Sequence, residues 1–316
     1  MEGFELTKEF DLNYSVLTLK LLKDKRLAAG NNFGILNIYD LISYEPDIII
    51  KNEFKEWITN INQLANEDLI VSSNRIVKII KLEKNTYSVI QSIKLTGGIF
   101  EQGYGAGGIY MICNKIIELS NNDLAICIRY HNLIQLWKKK NGEYYHYDDL
   151  IEENKSICEI FEIKKNYLLS DNNHYHHLVI WDTEKKQINT ILKNIIVNYI
   201  ISDTKTSFLN KKTIAYCGFS YLYIIEKNKF GVIQAIKSQG NLISICLFHK
   251  NILFTGDYKG LLYQYEIEGN NIRIKCKNFF EYGEICSIKK IDANRLAIGF
   301  SKKKLLILQK NKIIMK

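Results

Sequence analysis

What the chain has least of narrows its class before any motif is sought. It carries one proline, Pro46, and seven cysteines (Cys113, Cys127, Cys158, Cys217, Cys246, Cys276 and Cys286) that stand singly, with no C-x-x-C pair. An odd, dispersed set of thiols in apolar segments argues against a disulfide frame or a thiolate zinc site, and reads as reduced core residues in a cytosolic setting. No apolar run approaches the roughly 20 residues of a membrane span, and Met1 to Glu5 lacks the basic-then-apolar order of a secretion signal. The expectation is a soluble cytoplasmic protein, with the nucleus as the alternative compartment. Catalytic signatures are missing as well: there is no nucleophile elbow, no H-E-x-x-H and no phosphate loop ending in Gly-Lys-Ser/Thr. The chain therefore reads as not an enzyme, with no cofactor, no metal and no small-molecule substrate expected.

What is present is a large apolar complement arranged in a repeat. Hydrophobic residues make up 47% and aromatics 12% of 316 residues, far from a disordered composition. A chain of that length suggests two domains unless a repeat accounts for it. The clearest copy runs from Ile252 to Glu266: an apolar strand ending on Thr255 and Gly256, a polar turn from Asp257 to Gly260, then a strand closed by Tyr265 and Glu266. Related strand–turn–strand pairs occur from Leu27 to Asp40, Val71 to Lys81, Ile126 to Lys138, Leu169 to Asp182, Tyr216 to Glu226 and Ile298 to Gln309.

The strand-end positions 39, 80, 137, 181, 225, 265 and 308 are separated by 41, 57, 44, 44, 40 and 43 residues. Five of these gaps fit the roughly 40 to 45 residue period of a four-stranded propeller blade. Apolar residues alternate or form short continuous runs, with no sustained helical spacing, so helical repeats are excluded. Trp181-Asp182, with the looser pairs Tyr39-Asp40, Trp137-Lys138, Ile225-Glu226 and Tyr265-Glu266, resembles the WD40 family of β-propellers across nearly the whole length. The likeness is divergent, for one repeat alone has the Trp-Asp pair and the family's Gly-His pair is absent. It implies an all-β fold, a seven-bladed β-propeller of four-stranded antiparallel blades, forming a single domain over 1–316. It also implies that an N-terminal strand, residues 4–12, completes the last blade; the alternative is that Ile313 to Met315 forms that outer strand.

Function is expected where the chain departs from the repeat. The 57-residue gap holds an excess that falls at 97–108, where six of the chain's 18 glycines sit. Gly103, Gly105 and Gly108 match G-x-G-x-x-G, but the segment after them reads as a strand, whereas dinucleotide binding needs a helix there. The segment is read instead either as a partner-contacting loop, with Phe100 and Tyr104 as aromatic anchors, or as a flexible insertion. His174, His176 and His177 crowd a hairpin turn near Asp171; they are candidates for partner contact, and solvated imidazoles are the simpler reading beside metal binding.

The formal charge of +9 is spread over lysine groups at 138–140, 185–186, 211–212, 289–290 and 302–304. A Lys-rich solvated surface accounts for most of this, and nucleic acid is the functional alternative. Tyr144, Tyr145 and Tyr147 could stack bases, yet Asp148-Asp149 follows directly and would repel a phosphate backbone. The Phe-Arg-Arg-Gly motif of phosphoinositide-binding propellers is absent. The leading expectation is a scaffold or adaptor subunit of a larger complex that binds a protein or peptide through loops at one channel mouth. The alternative is a subunit associated with RNA or a ribonucleoprotein.

Overall fold

The third strand of each repeat is mostly apolar through its centre because both of its faces are covered there. Leu36–Tyr39 and His177–Asp182 are buried throughout, whereas outer strands such as Asn271–Phe279 alternate between exposed and covered residues. That contrast is expected of sheets stacked radially: inner strands lie between two neighbours, and the outermost strand faces solvent on one side.

The computed structural model describes residues 3–73, 76–95, 112–129, 133–151, 157, 159–172, 177–193, 195, 206–269 and 271–311. All regular structure among them is β-strand, arranged as seven four-stranded antiparallel sheets. Blades I to VI span 16–50, 58–94, 112–151, 160–192, 206–237 and 242–279, each running from an inner to an outer strand. Blade VII takes three strands from 285–310, and Phe4–Asp11 pairs antiparallel with Lys304–Lys310 as its outer strand. No helix among the described residues is long and apolar enough to cross a membrane.

In every blade the third and outer strands lose register at one step. The step falls at Ile38/Tyr39, Ile79/Ile80, Leu136/Trp137, Ile180/Trp181, Ile224/Ile225 and Gln264/Tyr265, and opposite Ile307 and Leu308 in blade VII. These are the strand-end positions of the sequence repeat. An extra residue on the outer strand bends it and raises the local twist. The residue at the step is buried in each blade, and Trp181 donates from Nε1 to Ser170 Oγ at 2.9 Å.

The hydrophobic core is divided into seven clusters, each lying between two adjacent blades. One joins blade VII to blade I through Leu305, Ile307, Val16, Leu19 and Tyr39, so the ring closes through side chains as well as through the N-terminal strand. Hydroxyls and a thiol tie neighbouring blades across the same boundaries: Thr59 donates to the Cys113 carbonyl, Ser244 to the Ile285 carbonyl and Cys127 to the Ile157 carbonyl. Of the six cysteines within the described residues, five are buried, and burial pushes the Cys113 thiol up to about 12.

Candidate functional site

Antiparallel order sends the second-to-third turns, and the connections from one blade's outer strand to the next blade's inner strand, to the same end of the sheets. That end is termed the upper face, and the remaining turns form the lower face. On the upper face of blade I, Asn31 Oδ1 accepts from the amides of Phe33 at 2.8 Å and Ile35 at 2.9 Å, so its side chain builds the turn. Gly34 has φ of +73°, and a Cβ there would stand 2.3 Å from the Phe54 carbonyl oxygen. The turn thus lies directly on the connection that leads into blade II.

The consequence is an apolar corner. Phe33 is 61% exposed, on a turn whose backbone its amide ties to Asn31. Trp57, 52% exposed, precedes Ile58, whose side chain packs against Gly30 of the same blade I hairpin. Nearby, Glu53 pairs with Lys78, and Lys78 Nζ also lies 5.7 Å from the centre of the Phe54 ring. Two large exposed rings suit an apolar segment of a partner.

Phe100 and Tyr104 lie outside the described residues, as do His174 and His176. The strands flanking 96–111, Tyr87–Lys94 and Ile112–Glu118, have their ends nearest that segment on the upper face, one blade beyond Trp57. His177 is the first residue of the third strand of blade IV, paired with Asn172 and buried. The lysine groups divide between faces: 138–140, 185–186, 211–212 and 289–290 sit toward the lower end, and 302–303 toward the upper.

One group of residues was missed in the sequence. Lys115, Glu159 and Asp171 are all buried near the inner edges of blades III and IV. Lys115 Nζ stands 3.8 Å from Glu159 Oε1, Asp171 Oδ1 accepts the Glu159 amide at 2.7 Å, and Asp171 Oδ2 accepts from Tyr216 of blade V at 3.2 Å. The residues opposite the third-strand position three before the register step are, in the other blades, Gly30, Ser72, Cys127, Cys217, Gly256 and Gly299. Asp171 holds that place in blade IV, and its departure from small residues is the signal that a register-exact alignment of the repeats would have shown. Chemically the group is a brace across three blades, since the carboxylate satisfies a main-chain amide and a phenol. Among the described residues no group of three or more His, Cys, Asp or Glu side chains could hold a metal ion.

No protein-family model matches the chain, and no curated protein sequence matches it. Its three-dimensional likeness is extensive: the crystal structure of the WD40 β-propeller domain of Doa1 is similar with a TM-score of 0.75, over 98% of each chain, at 10% sequence identity. At that identity the likeness is one of fold, and the chain has the seven-bladed propeller fold of WD40 domains.

Proposed function

We propose that the chain acts by binding, as a non-enzymatic protein–protein interaction scaffold and a subunit of a larger cytoplasmic complex. Recognition takes place on the upper face over blades I and II, with Phe100 and Tyr104 of the segment 97–108 as further candidates for partner contact. The observation that carries this reading is the pair of exposed rings, Phe33 and Trp57, standing on turns whose backbones are fixed by side-chain and backbone packing. A rigid frame that presents aromatic anchors lowers the ordering cost of association. A WD40-type fold is compatible with this role without dictating it.

The test is affinity purification from the native source with the wild-type chain, with F33A/W57A, and with residues 97–108 deleted. A protein retained by the wild type and lost from F33A/W57A, at unchanged melting temperature, supports the reading. Retention of the same proteins by both variants overturns it.

A further inference from the structure

The lower face is uneven in charge. Its arginines have carboxylate partners: Arg26 pairs with Asp24 at 2.7 Å, Arg295 with Asp292 at 2.8 Å, and Arg273 with Glu266 and Glu268 at 3.1 Å. In blades IV and V Lys186 pairs with Asp148 and Lys229 with Glu226, but most of the lysines there do not pair. Lys164, Lys165, Lys185, Lys211, Lys212 and Lys227 crowd their lower turns, and among the described residues none of the six has a carboxylate within ion-pair distance.

The local acids are already engaged. Glu162 accepts from the amide and hydroxyl of Ser120, Asp182 Oδ1 accepts from the amides of Glu184 and Lys185, and Glu184 accepts from Asn166. Two of the lysines are held by rings instead of carboxylates. Lys164 Nζ lies 4.3 Å from the Tyr167 centroid and 4.8 Å from that of Phe230, bridging blade IV to blade V. Lys227 Nζ lies 4.5 Å from Phe208, whose other neighbour is Phe161 at 4.7 Å. A π-face fixes an ammonium group without neutralising it, so the charge is positioned in advance and remains available to an anion.

Beside these lysines an open cleft of about 890 Å³ runs between blades V and VI, lined by Asn210, Lys211, Lys212, Glu226, Ile233 and Gln234 among others. Ile233 is 48% exposed there. We propose that the lower face of blades IV and V, with this cleft, binds an acidic segment of a partner polypeptide, whose carboxylates meet the unpaired lysines and whose backbone and apolar side chains lie in the cleft. One feature favours a polypeptide over single-stranded RNA: the rings nearest these lysines are engaged by ammonium groups or by one another, so bases gain little stacking there. The surface is opposite Phe33 and Trp57 and stands whether or not the upper face is a recognition site.

The test is fluorescence anisotropy at about 50 mM salt, where screening is weak. The probes are a fluorescein-labelled peptide of alternating Glu and Leu and a labelled oligouridylate of equal net charge. The peptide is expected to bind, and K211E/K212E to weaken it roughly tenfold or more. The variant K25E/K84E makes the same charge change on the lower face of blades I and II and is expected to leave affinity within about twofold, as is usual for a charge far from the contact. Circular dichroism melts confirm that both variants fold. Absence of peptide binding overturns the proposal, as does equal weakening by the two variants, which would mean attraction by net charge alone. Oligouridylate binding as tightly as the peptide and displacing it also overturns it, in favour of a nucleic-acid surface.

Discussion

The amide of Glu159 donates to Oδ1 of Asp171 at 2.7 Å, and the amide of Asp171 donates back to the Glu159 carbonyl at 3.2 Å. This reciprocal pair joins the inner and second strands of blade IV at the position where other blades carry glycine, serine or cysteine. Removing the carboxylate would leave a buried amide and the Tyr216 hydroxyl without this acceptor. D171A is therefore expected to cost about 2 to 3 kcal/mol in urea unfolding. D171N keeps an acceptor for the amide, and its NH₂ can donate to the phenol oxygen, so it is expected to cost about 1 kcal/mol or less.

A close approach between blades I and II sets a second expectation. A Cβ on Gly30 would stand 2.5 Å from Ile58 Cγ2, and the same approach recurs from Gly256 to Ile285 and from Gly299 to Val16. G30A is expected to cost about 1 to 3 kcal/mol through overpacking. I58A alone leaves a cavity and costs about 2 to 5 kcal/mol. The double variant should lose less than the sum, because the added methyl enters space the truncation vacates. Strict additivity in a double-mutant cycle would refute the steric account.

The repeat was legible because its strongest signal is physical. Third strands covered on both faces are mostly apolar in the four residues that end at the register step, and the step beside Tyr39, Trp181 or Tyr265 holds a large buried side chain at fixed spacing. Blade IV shows where that reading slips. Leu169-Ser170 looks like the small-residue place in the sequence, but the Ser170 hydroxyl serves Trp181, and Asp171 stands opposite Leu178. His177 sorts with its neighbours in sequence and with the buried strand in space. The Phe33 and Trp57 corner was not legible at all, since it depends on which turn one blade lays against the next, and no spacing along the chain encodes that.

Asp257 and Asn31 occupy matching turns: Asp257 Oδ1 accepts from the amides of Lys259 and Leu261 at 2.9 and 2.8 Å, as Asn31 does from Phe33 and Ile35. Burial raises the Asp257 carboxyl above the usual range, against the lowering effect of those amides. A carboxyl whose folded pKa exceeds its unfolded value contributes stability while protonated, and that contribution is lost as pH rises through the folded pKa. D257N keeps the acceptor and has no charge to bury. Its stability relative to wild type should therefore improve as pH is raised from about 3 to 7, across the normal Asp range. D257A, lacking any acceptor, is expected to lose about 2 kcal/mol at about pH 3 and less relative to wild type at about pH 7, because it too has no carboxylate to bury.

The closing strand sets the last expectation. Phe4 meets Phe248 at 5.2 Å and Phe254 at 5.5 Å, both edge-on, so its ring is buried in the cluster between blades VI and VII. Farther along the strand Lys304 pairs with Glu9 and Asp11, and Phe10 packs on Tyr39 of blade I at 5.4 Å. One strand therefore seals blade VII to both neighbours, through aromatic contacts at each end and an ion pair at the rim. The two kinds of contact differ in their response to salt, because apolar burial is not screened and an exposed ion pair is. F4A is expected to cost about 3 to 4 kcal/mol at low and high salt alike. K304A should change stability far less, and its small effect should fade as salt is added. Deleting residues 1–11 would expose the edge of Lys304–Lys310 and uncover both clusters, so the truncated chain should elute from size exclusion as oligomer or aggregate. A monomeric truncated chain with the wild-type melting temperature would show that the ring does not depend on this strand for closure.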